Sequence, residues 1–188
     1  MPKLQRAYRL ETAYHEGSHV VVAYSLDMEC HGIELFGEDG GGRSVIPSTV
    51  MFSNDDDPTS EFLGHKPENA VVSYAGRVGH TKFLREYTGR PKVRPGENHF
   101  SSDVVQFSKV VKEDKKLAQW AKCEAVRLVG ENWDLITVVA RELYRKGSLD
   151  RWQIEKLIPR LMKAKAARLK ERLAAATASA SAAACPNA

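Results

Sequence analysis

A chain of 188 residues is long enough for one domain with a real hydrophobic core, or at most two small ones. Its 43% apolar and 28% charged residues are the proportions of an ordinary soluble globular protein. The net charge of +4 is too mild to argue for nucleic acid, and no nucleic-acid partner is expected.

Much of the positive charge falls late, at Arg160, Lys163, Lys165, Arg168, Lys170 and Arg172, opposed locally by Glu171. That pattern reads as the solvated face of a helix. Cys30, Cys123 and Cys185 are scattered and odd in number, which argues against a disulfide framework. Met1-Pro2-Lys3 opens into no signal-like apolar run, and Val20 to Tyr24 falls far short of the ~20 residues that span a bilayer. The expected location is a reducing cytoplasm, with no membrane anchor.

In chain order, residues 8 to 26 read as an amphipathic helix. Leu10, Ala13, Gly17, Val20, Val21 and Tyr24 gather on one side at 3.6 residues per turn, with His15 and His19 roughly opposite. Cys30 to Phe36 and Arg43 to Ile46 are strand candidates joined by the turn Gly37 to Gly42, a small β-hairpin after the first helix. Ser53 to Ser60, with Asp55-Asp56-Asp57-Pro58, is an acidic loop without the spacing of a calcium site.

A second helix is expected from Pro67-Glu68 to about Tyr87, since proline and an acidic residue suit a helix start. Gly76 and Gly79 weaken its propensity, and close packing is the natural reason for them. Thr88 to Asn98 is a loop. Ser101 or Ser102 can cap a third helix with Asp103 in or just before its first turn, sending Val104, Phe107, Val110 and Val111 toward a core. Two helices follow at about 115 to 129 and 132 to 145. Arg145-Lys146-Gly147 is a stop, and Ser148 or Asp150 can cap a restart toward Leu161. Ala174 to Ala184 holds only Ala, Ser and Thr and is expected to be a disordered tail.

His15-Glu16-Gly17-Ser18-His19 is an HExxH pattern. Two histidines four apart on a helix point the same way and can share one Zn²⁺. Three protein ligands leave a position for water, whose pKa the metal lowers toward ~7, and Glu16 beside it can act as general base. Spacing does not select the remaining ligand: His31, His65, His80, Glu97, His99 and Asp103 all stay open. No HExxHxxGxxH continuation follows His19.

Ala13-Tyr14-His15-Glu16-Gly17-Ser18-His19-Val20 resembles the AxHExGHA helix of the FtsH-type ATP-dependent zinc metalloproteases, with Gly17 and Ser18 in place of the usual alanine and glycine. Glu29 to Pro47 looks like that family's two strands after the catalytic helix. Val71 to Arg77 is similar to its glycine-arginine-alanine helix, and Glu131 to Ile158 to its closing helices. His99-Phe100-Ser101-Ser102-Asp103-Val104 is similar to its GASNDI segment, whose aspartate is the third zinc ligand. The resemblance covers roughly residues 8 to 160 and implies a mainly α, helical zincin-like metallopeptidase domain with a small β-hairpin after the HExxH helix. It implies zinc as cofactor, His15, His19 and Asp103 as metal ligands, and Glu16 as the catalytic base.

Two departures stand out. The family's ATPase module is absent from these residues, which contain no G-x-x-x-x-G-K-[ST]. Where the family has an acidic residue a few positions after its Gly-Arg pair, this chain has His80, which could tune the site, compete with Asp103, or lie on the surface. The expected organisation is a metallopeptidase domain over 1–162, followed over 163–188 by a basic helix end and a disordered Ala/Ser-rich tail. The expected activity is zinc-dependent endopeptidase cleavage of flexible or unfolded polypeptides, alone or beside a separate ATPase unfoldase, with homo-oligomerisation as a further expectation. The alternative is a catalytically inactive domain of the same kind, serving as a binding or regulatory module. A helical interaction protein with a chance motif is a third reading.

Overall fold

The computed structural model describes residues 3–36, 41–45, 67–89, 101–164, 166–168 and 170–171. Its first helix, α1 (Lys3–Ser25), is the element on which the others assemble. Two strands follow, β1 (Gly32–Phe36) and β2 (Gly41–Val45), and then α2 (Pro67–Thr88), α3 (Ser101–Glu113), α4 (Lys115–Glu131) and α5 (Trp133–Lys146). A three-residue strand β3 (Ser148–Asp150) leads directly into α6 (Arg151–Leu157), and the chain is helical again over 159–164. The fold is mainly α, with an antiparallel β1–β2 hairpin directly after the HExxH helix.

Helix α1 departs from the amphipathic expectation. Every residue from Glu11 to Tyr24 is buried, because α2, α4, α5 and the two hairpin strands pack around it. Its apolar residues meet the core, while Glu11, Thr12, His15, Glu16, Ser18 and His19 are equally enclosed. Six buried polar residues on one helix are tolerable only where polar partners meet them. Ser18 turns its hydroxyl back onto the Tyr14 carbonyl at 2.7 Å. The remaining polar residues face α2, α3 and β2, where the site lies.

The packing of α1 relies on small residues. A Cβ on Gly17 would already touch the α5 backbone at Ile136 and Ala140, 3.5 Å away. On the α2 side, a Cβ at Gly79 would run into the Ser18 hydroxyl. Tyr14 stacks on Phe83 of α2 with ring centroids 4.4 Å apart and lies 5.3 Å from Trp133 of α5, joining three helices at one apolar corner.

The sheet has the order β2-β1-β3, all antiparallel. The hairpin register runs from Gly32↔Val45 to Phe36↔Gly41. Strand β3, a segment expected only as a turn and helix cap, adds the third strand through Ile33↔Leu149. Its position follows from the end of α5. Gly147 adopts φ 85°, a left-handed conformation that glycine takes without a Cβ penalty, and its carbonyl accepts from Leu35 N–H at 2.7 Å. Asp150 then caps α6 in a reciprocal box with Gln153, at 2.8 and 3.1 Å.

Helix α3 is held to α2 by Phe107, whose ring lies 4.8 Å from that of Tyr74. Asp114 stops α3 and starts α4 by accepting from the N–H groups of Lys116 and Leu117. Two arginines of the basic segment after α6 pair with the body: Arg160 reaches Asp134 at 2.8 Å, and Arg168 reaches Asp27 at 2.8 Å. The expected acidic loop at 53–60, most of the loop at 88–98 and the Ala/Ser tail lie outside the described residues. Among the described residues, no helix is long and apolar enough to cross a membrane.

Candidate metal centre

His15 and His19 stand one turn apart on α1, so both rings project toward the start of α3. There Asp103, in the first turn, brings Oδ2 to 2.7 Å from His15 Nε2 and 3.0 Å from His19 Nε2. The two imidazole nitrogens are 3.0 Å apart. These three form the His/Cys/Asp/Glu cluster of metal-ligating geometry among the described residues.

The donor set suits zinc, which takes imidazole nitrogen and carboxylate oxygen. Ligand atoms around a tetrahedral zinc with ~2.0–2.1 Å bonds lie about 3.3 Å apart, so the triangle needs to open by only a few tenths of an ångström. Backbone geometry supplies the room. A Cβ at Gly76 of α2 would lie 2.6 Å from both Nε2 and Cε1 of His15, and nearer still to His19 Nε2. Any other residue there would fill the place where the ligand atoms converge.

A polar partner outside the triangle orients one ligand. His19 Nδ1–H donates to the Val72 carbonyl of α2 at 2.7 Å, which turns Nε2 toward His15 and Asp103. His31, by contrast, is exposed at the start of β1 and takes no part. His65, Glu97 and His99 lie outside the described residues.

His80 is neither a surface residue nor a member of the triangle. It is 4% exposed, and its Nε2 lies 3.2 Å from Oε2 of Glu11, itself 5% exposed. The expectation of an exposed or competing histidine is thereby corrected. A buried imidazole needs a partner, and Glu11 on the neighbouring helix supplies one.

Glu16 faces the hairpin. It is buried, and a Cβ at Gly42 of β2 would lie 3.0 Å from Glu16 Cγ, so the strand runs flush against this side chain. Burial pushes the Glu16 carboxyl up to about 7; Asp103 adds to the rise, while the charge of His19 and a hydrogen bond from Ser44 oppose it.

Burial lowers His15 to about 4, against the opposing pull of Asp103. Burial also acts to lower His19, but the Asp103 and Glu16 carboxylates and the Val72 carbonyl overcome it and raise the group to about 9. Burial would raise Asp103, yet His19 and the two hydrogen bonds hold it far below the usual carboxylate range. These opposite directions make His19, rather than His15, the ring that the surrounding charges favour in its positively charged form when no metal is bound.

Sequence reasoning missed Val72, Ser44 and Glu11. Val72 acts through its backbone, which no residue type announces. Ser44 and Glu11 become relevant only through neighbours distant in sequence.

No known protein-family model matches the chain, and no curated protein matches it in sequence.

Proposed function

We propose that this protein is a zinc-dependent endopeptidase of the kind the FtsH-type peptidase domains represent, cleaving flexible or unfolded polypeptides. The observation that carries the reading is the convergence of His15, His19 and Asp103, drawn together from helices whose ligands are 84 and 88 residues apart. Helix α1 alone would present a pair of histidines; the third donor makes it a candidate centre for hydrolysis.

Zinc held by these three residues supplies Lewis-acid polarisation of a scissile carbonyl and lowers the pKa of a water toward neutrality. Asp103 contributes the negative charge of the ligand set, and Val72 holds the His19 ring in one orientation. Glu16 takes the proton of the attacking water on its carboxylate and hands it to the leaving nitrogen. Its burial raises the carboxyl to about 7 in the metal-free protein, the direction that makes a carboxylate a stronger base.

Strand β2 also favours extended substrates. It is an edge strand of the sheet among the described residues, and it lies beside Glu16. An extended chain can add to such an edge by main-chain hydrogen bonds, which a segment already folded elsewhere cannot do. On this reading folded proteins become substrates when a separate unfoldase delivers them.

The test is cleavage of an unfolded reporter polypeptide by zinc-loaded wild type and Glu16→Gln. The wild type is expected to cleave it, and the variant to lose at least the roughly 10²-fold that a general base contributes. Equal cleavage by both would remove Glu16 from the reaction. Zinc binding with no cleavage by the wild type would favour a binding module.

A further inference from the structure

Helices α1 and α2 pack closely against each other. Val72 meets His19, Gly76 lies against His15 and His19, Gly79 against Ser18, His80 meets Glu11, and Phe83 stacks on Tyr14. At the candidate centre α2 presents Gly76, which has no side chain of its own to set the distance between the helices at that point. Two polar contacts bracket that gap: the His19–Val72 hydrogen bond at 2.7 Å on one side, and the Glu11–His80 pair at 3.2 Å on the other. Glu11 is one turn before His15, and His80 one turn after Gly76.

We propose that Glu11 and His80 are positioning residues for the metal centre, clamping α1 to α2 on the His15 side as Val72 does on the His19 side. This rests on the zinc reading above.

Stability alone does not account for the pair. Both side chains are almost wholly buried, 6% and 5% exposed, and apolar residues of similar volume generally serve stability there as well or better. A hydrogen-bonded pair instead fixes direction and distance, which a ligand held between two helices requires.

The experiment compares wild type with Glu11→Leu/His80→Phe, which replaces the pair by apolar groups. Zinc affinity is read by competition with a chelator, the visible spectrum by Co²⁺ substitution, and folding by circular dichroism and thermal unfolding of the metal-free protein. The double variant is expected to unfold at or above the wild-type temperature, yet to bind zinc roughly 10- to 100-fold more weakly, with altered Co²⁺ bands. A folded variant with wild-type zinc affinity and Co²⁺ spectrum would overturn the assignment. If the double variant does not fold, His80→Gln decides. It keeps a donor for Glu11 without the rigid ring, so several-fold weaker zinc binding is expected, and wild-type affinity and spectrum would overturn the proposal. Failure of the wild type to bind either metal would instead refute the zinc reading on which the pair's role depends.

Discussion

His19 and Val72 are joined across two helices: the imidazole Nδ1–H donates to the backbone carbonyl at 2.7 Å. The ring can therefore present only Nε2 to His15 and Asp103. A hydrogen bond to main chain cannot be lost by substitution of the Val72 side chain, so this part of the site depends on the path of α2 itself.

Asp103→Asn retains the shape of the third donor but removes its charge. Zinc affinity is expected to fall by more than the roughly 100-fold that follows loss of an outer-shell partner. Chelator competition measures it. An affinity within a few-fold of wild type would mean that Asp103 is not a ligand.

Gly76→Ala places a methyl group among the ligand atoms. Helix propensity favours alanine over glycine by about 1 kcal/mol, but overpacking costs about 1–3 kcal/mol and should prevail. The variant is expected to unfold at lower temperature and to lose zinc. Gly130→Ala in α4 is the control, because nothing lies within 4 Å of its added Cβ; it should gain up to about 1 kcal/mol and keep zinc binding. Thermal unfolding and metal titration of both variants distinguish the two effects.

The local part of this site was legible in the sequence. An HExxH run on a helix specifies its own geometry, and the hairpin after it carries visible turn and strand signals. Asp103 was one of several open candidates by spacing, and only the family resemblance singled it out. The sequence leaves the place of His80 open because the residue that makes its burial tolerable, Glu11, lies 69 positions away. The one-sided reading of α1 failed similarly: Glu11, His15 and His19 look solvent-facing until α2 and α3 cover them. Strand β3 has three residues, too few for any alternation to register, and it exists because β1 was already in place to pair with it.

Zinc binding is expected to release a proton from His19. Its raised value of about 9 means that the metal-free ring is protonated at pH 7.5, whereas a ligand imidazole must be free at Nε2. Apparent affinity should therefore rise about tenfold per pH unit toward pH 9 and flatten above it. Calorimetric titration at pH 7.5 in two buffers of different ionisation enthalpy counts the proton directly. Identical heats in both buffers would contradict this assignment of the proton.

Activity should decline as the solution is acidified. Glu16 acts as base only when ionised; burial raises it to about 7 in the metal-free protein, and a bound dication would draw it lower. The acid limb of kcat/KM is thus expected at or below about pH 7 and should be absent from the residual activity of Glu16→Gln. A rate that increases steadily from pH 7 to pH 5 would be incompatible with Glu16 as the base.

The most direct measurement is the zinc content per chain after loading and removal of free metal, for wild type and for His15→Ala, His19→Ala and Asp103→Ala. About one tightly held zinc per wild-type chain is expected, with loss in each of the three variants while helical content is retained. A folded wild-type chain that holds no zinc, or variants that hold as much as wild type, would contradict the assignment of His15, His19 and Asp103 as a metal centre.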